Sequence, residues 1–476
     1  MEAFMSFNSA VNGFVWGPIM LVLLVGTGLY LSVRAGFIQF RHFGFVLKRT
    51  FGGLFKGTQR DSEGHNISPF QAVSTALAST VGTGNIVGVA TAITIGGPGA
   101  VFWMWVSALL GMMTKYSEIV LAVKYREVNE DEQYVGGPMY YIKNGVGAKY
   151  KTLGTVVAAV FAIFAAFACF GIGNMTQGNS IASSMESTFG INTSVTGIVL
   201  AIIVAVVILG GINSIAHVTE LCVPVMALLY FVFAGVILVL NAEFVPDAIH
   251  AIFVGAFNPS AVLGGGAGVG IMTAIRMGIA RGVFSNEAGL GSAPIAHAAS
   301  STKEPVEQGL WGIFEVFVDT ILVCTLTALV ILSTQDPTSG KLLWQLQEFD
   351  GAALTAKAFE YALPGTFGSV FLSIALLLFA FSTMVGWCYY GEKAWEYLFR
   401  NNAKVRKVVI IVFRICYIGA VYIGAVGGLE FVWGVADTLN GCMAIPNLVG
   451  LLLLSGVVIQ ETKRYFNKNK TKVDNA

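Results

Sequence analysis

The stretch Ser74–Ala92 reads S-T-A-L-A-S-T-V-G-T-G-N-I-V-G-V-A-T-A, apolar at both ends and polar at its centre. Glycine costs a helix interior about 1 kcal/mol relative to alanine, and only Thr83 separates Gly82 from Gly84. The spacing predicts two half-helices with exposed peptide groups between them. At membrane depth such backbone cannot face lipid and must line a cavity or hold a ligand. A half-helix that starts there aims free N–H groups, and roughly half a positive charge, at the gap. That is chemistry for a small carboxylate, with N–H donors at Gly82–Asn85 and the side chains of Thr80, Thr83 and Asn85 nearby. The same glycines also suit close helix packing. On the first reading Gly84→Ala folds but loses its ligand; on the second it is unstable and binds normally.

A second chemistry is available to the same backbone. A small hard cation needs several oxygen ligands, and unwound carbonyls supply them. Carbonyls near Thr80 and Val81, joined by the hydroxyls of Ser382 and Thr383, can form such a shell. Alternatively each hydroxyl bonds the carbonyl one turn back. A second interrupted stretch, Met272–Ala298, carries Gly278, Gly282, Ser285, Asn286, Gly289 and Gly291 at its middle. There Gly282 can offer a carbonyl to a positively charged group. Asn174 and Gln177 sit on an apolar run beside Gly171 and Gly173, placed either to reach a ligand or to join two helices. Trp387 follows Thr383 by one helical turn; it and Phe170 can bound a pocket or simply pack. Ionisable groups within spans suggest function. Lys115 and Glu118, one turn apart, are placed to pair with each other, and Arg281 and Glu287 flank the second break as gating candidates on the cytoplasmic side. Asp319 and Asp437 stand alone, as proton or cation sites or as satisfied structural carboxylates.

These residues need a membrane scaffold, and the composition provides one. Hydrophobic residues make up 55% of the 476, charged residues only 12%, and the mean hydropathy is +0.73. An ordinary soluble domain carries about 25% charged residues. Eleven candidate spans, each long enough to cross a bilayer, lie near 14–33, 69–96, 99–123, 153–179, 194–214, 217–240, 263–295, 309–333, 366–390, 407–427 and 430–458. Segments 34–68, 124–152, 296–308, 391–407 and 459–476 hold 22 of the 28 basic residues. The positive-inside rule therefore places the N-terminus outside and the C-terminus inside. Phe43–Pro69 reads as a basic surface helix and loop, Asn241–Gly268 as an interfacial helix, and Gln335–Pro364 as an outer lid or an inert connection. Omitting the first span leaves five and five, each set opening on an interrupted helix. An odd number of spans per set inverts the second against the first, the arrangement typical of secondary transporters. The expected architecture is all-α: residues 1–68 as an extra helix and basic loop, 69–240 and 241–458 as inverted five-helix repeats, 459–476 as a basic tail.

The chain resembles the alanine or glycine:cation symporters, the sodium:alanine symporter family, over nearly its whole length. The resemblance rests on S-T-A-L-A-S-T-V-G-T-G-N-I-V-G-V-A-T-A-I at 74–93, G-G-P-M-Y-Y-I at 136–142, G-I-A-R-G-V-F-S-N-E-A-G-L-G-S-A-P-I-A-H-A at 278–298 and F-S-T-M-V-G-W-C-Y-Y-G-E-K at 381–393. It implies the inverted five-plus-five fold of bacterial leucine transporters plus one N-terminal helix, in a bacterial inner membrane. It also implies cation-driven uptake of a small neutral amino acid such as alanine or glycine. In that fold a cation lies between the first broken helix and the helix carrying Ser382 and Thr383. The amino acid's carboxylate would then meet the Gly82–Asn85 donors, and its ammonium the Gly282 carbonyl, with Gln177, Thr383, Trp387 and Phe170 around it.

Other classes find no support. No GxxxxGK[ST], HExxH or GxSxG occurs, the five histidines are dispersed, and the six cysteines lack CxxC spacing. Neither an organic cofactor nor nucleic acid is implied, and an enzyme is not expected. The co-transported ion is read as Na⁺, with proton coupling and an ion channel as alternatives. The bilayer and a small neutral amino acid are the expected partners. Oligomeric state is open, one copy being enough for transport.

Overall fold

A computed structural model describes residues 2–54, 66–258, 270–427 and 429–470. The chain is almost entirely helical, with a single two-stranded ribbon at Glu127–Val128 and Tyr134–Val135 among the described residues. In chain order the principal helices are α1 (Glu2–Val15), α2 (Pro18–Arg34), α3 (Pro69–Thr80), α4 (Val89–Gly96), α5 (Gly99–Lys124), α6 (Lys151–Phe189), α7 (Thr193–Leu209) and α8 (Gly211–Leu240). They continue as α9 (Val245–Phe257), α10 (Ile271–Asn286), α11 (Ala293–Ala298), α12 (Pro305–Ser333), α13 (Gly351–Ala362), α14 (Phe367–Leu398), α15 (Ala403–Val426) and α16 (Leu429–Lys468). Among the described residues, eight helices are long and apolar enough to span, or nine when the bent α3–α4 pair is included.

The first break falls where the glycines predict it. Ser68 caps α3 in a reciprocal capping box with Gln71, and Pro69 opens the first turn, the combination that best satisfies a helix start. The helix ends at Thr80, and the chain resumes as a π-helical turn at Gly84–Gly88, bent by 49°. The second break lies further along than Gly282. α10 runs unbroken to Asn286, and Glu287 leaves it in the left-handed region at φ 58°. Gly289 and Gly291 follow at φ 97° and 81°, a backbone that only glycine adopts without strain. α11 then restarts at Ala293 with a proline in its first turn.

The two breaks touch. A Cβ on Gly84 would stand 3.1 Å from Ser285 Cα and 3.3 Å from the Phe284 ring. Gly84 is therefore a packing position against the second broken helix, and the space expected there for a carboxylate is filled by Ser285. Gly282 also packs, since a Cβ there would stand 3.4 Å from Met104 Cα on α5, and its carbonyl lies within α10 rather than in the gap.

The peripheral segments follow the same logic. Phe43–Leu54 is helical, whereas the basic stretch 55–65 lies outside the described residues. Within Asn241–Gly268 the helix is α9, laid across the start of α5 by a Trp103 bond to the Ala256 carbonyl, and 259–268 lie outside the described residues. Gln335–Pro364 folds partly into α13, whose Thr355 hydroxyl donates to Ile86 O in the π turn at 3.2 Å. The five basic segments gather on one face. Arg49 pairs with Glu307, Arg464 with Glu304, Lys124 with Glu461, and Arg406 with Glu130. α7, α8 and α15 turn exposed apolar residues outward, among them Ile202, Val206, Leu228, Val232, Ile411 and Ile415, as lipid contact requires.

Gly84→Ala presses a methyl group onto Ser285 and Phe284, and overpacking of this kind costs about 1–3 kcal/mol. Thermal unfolding of the purified variant should fall below that of the wild type. An unchanged melting temperature would remove the packing role.

Candidate functional site

The site begins with the peptide groups freed between α3 and the π turn. Two of their N–H groups are taken by side chains. Gly82 N–H donates to Asn85 Oδ1 at 2.9 Å, and Thr83 N–H to Gln177 Oε1 at 3.3 Å. The Gln177 amide nitrogen in turn donates to Ile172 O, beside the π turn Gly171–Met175 of α6. Thr83 Oγ1 is buried with no protein partner, although such groups are nearly always bonded. A Cβ on Gly82 would collide with Thr383 Oγ1 and come within 3.3 Å of Gln177 Oε1. Gly82, Thr83, Gln177 and Thr383 therefore converge.

On the α14 side of this point, two hydroxyls meet three carbonyls, of which Phe379 O already accepts an N–H within unbroken α14. Ser382 and Thr383 each hold a hydroxyl 3.1 Å from Ala78 O, and Thr383 Oγ1 is also 3.5 Å from Val81 O. Both hydroxyls reach Phe379 O one turn back, at 2.9 and 3.0 Å. Five oxygens thus share two hydroxyl hydrogens, and each hydroxyl can donate only once. Neutral hard oxygens gathered from two helices suit a small monovalent cation. Val81 O, Ser382 Oγ and Thr383 Oγ1 lie in this cluster together with Ala78 O. Thr80 instead turns its hydroxyl to Ala76 O and to Glu315 Oε1, at 2.7 and 3.0 Å.

The second break is enclosed by charged and polar side chains. Lys115 Nζ donates to Asn286 O at 2.7 Å, at the end of α10, and pairs with Glu315 Oε1 at 2.9 Å. The expected pairing of Lys115 with Glu118 is not formed. Glu118 instead accepts from Gly289 N and from Asn447, whose amide also holds Gly289 O. Glu315 also bonds His297, which bonds Gln308. One turn on, Asp319 accepts from Asn85 at 2.6 Å, from Ser285 at 3.0 Å and from Thr320 at 2.7 Å. Every one of these acids and Lys115 is buried. Of the two readings of Asp319, the contacts match a satisfied carboxylate.

One expected assignment changes, and two open ones fall to packing. Arg281 and Glu287 do not form a gate with each other. Arg281 pairs with Asp437 at 3.1 Å, on the side of the second break away from the basic face, and Glu287 accepts from Trp387 Nε1 at 2.9 Å and from Ser292 at 2.5 Å. Phe170 packs its ring on Phe413 and Tyr417 of α15, with ring centres 5.5 and 5.7 Å away. Asn174 donates to Tyr417 O and serves as a helix contact. Trp387 is buried against Gly173 of α6 as well as Glu287, so it stands between α6 and the second break. The sequence missed Ala78, Phe379 and Glu315, and marked Ser285 only as part of the second interrupted stretch. The one available signal was Glu315 and Asp319 at helical spacing on an otherwise apolar span.

The whole chain, residues 1–476, matches the sodium:alanine symporter family. It is 50% identical to the sodium/alanine symporter AgcS of Methanococcus maripaludis, over 99% of this chain and 100% of that protein. It is 36% identical to the probable sodium/glutamine symporter GlnT of Bacillus subtilis, over 97% and 91% of the two chains. Among solved structures, a Na⁺-coupled sialic acid symporter is similar in fold, with a TM-score of 0.50 at 14% identity, covering 87% of this chain and 81% of that one. Matched along its full length by both a family and a half-identical relative, the chain belongs to the sodium:alanine symporter family of membrane transporters.

Proposed function

We propose that this protein carries Na⁺ and a small neutral amino acid, alanine or glycine, together into the cell by alternating access. The observation that carries the reading is the meeting of the Ser382 and Thr383 hydroxyls with the Ala78 and Val81 carbonyls at the first break, beside the helical Phe379 carbonyl of α14. A monovalent cation there satisfies the surplus lone pairs, and none of the five oxygens is a carboxylate able to carry a proton instead. Membership of a sodium:alanine symporter family, and a half-identical relative named for sodium and alanine, support the same ion and substrate.

The amino acid would lie beside the cation, between the first break and α6. Gln177 Oε1 now accepts the Thr83 N–H, the bond a substrate carboxylate would make on displacing it. Thr83 Oγ1, lacking a partner, is the next donor in reach. Gly82 lets Thr383 approach the break closely, since a Cβ there would collide with Thr383 Oγ1. Trp387 limits the far wall, which favours a methyl or hydrogen side chain. The inverted repeats supply the two conformations, with the basic face inside.

Two measurements test this. In proteoliposomes, an inward Na⁺ gradient should drive accumulation of labelled alanine at constant pH. Accumulation driven by a pH gradient alone, in Na⁺-free buffer, would overturn the choice of ion.

Trp387→Ala should weaken alanine binding and admit larger neutral amino acids. One lost apolar contact shifts discrimination by about 1–3 kcal/mol. If valine and leucine compete no better against the variant than against the wild type, Trp387 does not bound the pocket.

A further inference from the structure

Val81 O and Gly82 N–H belong to one peptide group, and no cis peptide occurs among the described residues. In a trans peptide the C=O and N–H point in opposite directions from one rigid plane. Whatever holds the Gly82 N–H therefore also aims the Val81 carbonyl. The holder is Asn85, whose Oδ1 accepts that N–H at 2.9 Å. Asn85 is itself fixed by Asp319, which accepts from Asn85 Nδ2 at 2.6 Å through Oδ1 and again at 3.2 Å through its backbone carbonyl. On its other side Asp319 accepts from Ser285, in the last turn of α10 before the second break, and from Thr320. All four side chains are fully buried, so no water competes for these bonds.

We propose that Asp319 is a positioning residue for the transported cation. Through Asn85 it sets the tilt of the Val81–Gly82 peptide, and through Ser285 it ties that tilt to the second broken helix. The cation's ligand geometry is thereby read by both broken helices at once, a physical route for coupling the ion to the movement of the pair. The inference rests on the assignment of the cation to the Ala78–Val81–Thr383 cluster. Asp319 touches neither ion nor substrate in this scheme, and its effect passes through two hydrogen bonds and a peptide plane.

The test uses the full-length purified transporter and two readouts, alanine binding and the rise in melting temperature that Na⁺ produces. Outer partners that orient a metal ligand typically contribute about 10–100-fold to affinity. Asp319→Asn and Asn85→Asp should each raise the Na⁺ concentration for half-maximal alanine binding by about that range, and shift the Na⁺-induced stabilisation equally. Alanine affinity in saturating Na⁺ should stay close to that of the wild type. The double variant Asn85→Asp with Asp319→Asn exchanges donor and acceptor across one bond and keeps an acceptor for Gly82 N–H. It should restore the wild-type Na⁺ requirement.

Folded single variants with an unshifted Na⁺ requirement would overturn the relay. So would a loss of alanine affinity that is the same at every Na⁺ concentration, because that is what plain structural damage gives. Where a single variant does not fold, the double decides: a wild-type Na⁺ requirement supports the relay and a raised one refutes it. A wild type whose alanine binding ignores Na⁺ overturns the ion assignment and the relay together. A Na⁺-dependent wild type with unshifted variants overturns the relay alone.

Discussion

A peptide group that loses its helical partner inside a membrane has to find another, because lipid offers none. An unpaired buried amide or carbonyl costs about 1–3 kcal/mol, and each break in this protein frees several. The structure around α12 answers that constraint. Glu315 and Asp319 lie one turn apart on it, and each holds both broken helices. Glu315 takes the Thr80 hydroxyl from the first and, through Lys115, the Asn286 carbonyl from the second. Asp319 takes Asn85 from the first and Ser285 from the second. The two interrupted helices are thus braced to each other on either side of Gly82. Removing one member of a buried ion pair such as Lys115–Glu315 leaves an uncompensated charge, at a cost of about 3–5 kcal/mol.

Bracing has a consequence for motion. Elements cross-linked at two levels move more readily as one body than apart. The scaffold they must move against is held differently. α6 and α15 are joined to each other through Tyr417, whose hydroxyl donates to Gly173 O or Met384 O and whose carbonyl accepts from Asn174. Between these two bodies run Thr383 to Ala78 and Val81, Gln177 to Thr83, and Trp387 to Glu287. The groups proposed to hold the ligands therefore lie on the seam between a braced pair and its scaffold, where occupancy would bias the position of one against the other.

Much of this was legible in the sequence, and the remainder was hidden for an identifiable reason. Glycine and proline report on local backbone, so the first break, the left-handed glycines of the second and the Pro69 helix start could be read directly. Ser382 and Thr383 were open in the sequence to a cation or to the carbonyl one turn back, and both hydroxyls reach Phe379 O. The partner of a buried charge is a tertiary fact. Lys115 and Glu118 satisfy the local rule for a helical pair, yet each is claimed by a group more than 150 positions away in sequence. Asn85 was read as reaching outward to a ligand, whereas it folds back on its own chain to cap Gly82. Gly84 and Gly282 carry the signature of a break, but their neighbours are Ser285 and Met104. A glycine's sequence records that something comes close, without saying whether it is a ligand or a helix.

The two breaks are chemically unlike, and the difference bears on which of them can hold an exchangeable ion. At the second, the protein provides for its own polar groups: Lys115 on the Asn286 carbonyl, Glu118 on the Gly289 N–H, Asn447 on the Gly289 carbonyl, and the Asn286 side chain on the Ala288 N–H. Its one strained residue, Glu287, holds a left-handed conformation that costs a non-glycine residue about 1–2 kcal/mol, and Trp387 and Ser292 pin its carboxylate. A tethered ammonium already occupies the carbonyl end there, so an added cation would meet a like charge. At the first break no Lys, Arg or His side chain among the described residues bonds the Ala78, Val81 or Phe379 carbonyl, and Ala78 and Val81 meet only hydroxyls from α14. The cation proposed there would complete the bonding instead of competing with a tethered charge. The asymmetry of two breaks that look alike in sequence therefore lies in one lysine, contributed by a helix outside both of them.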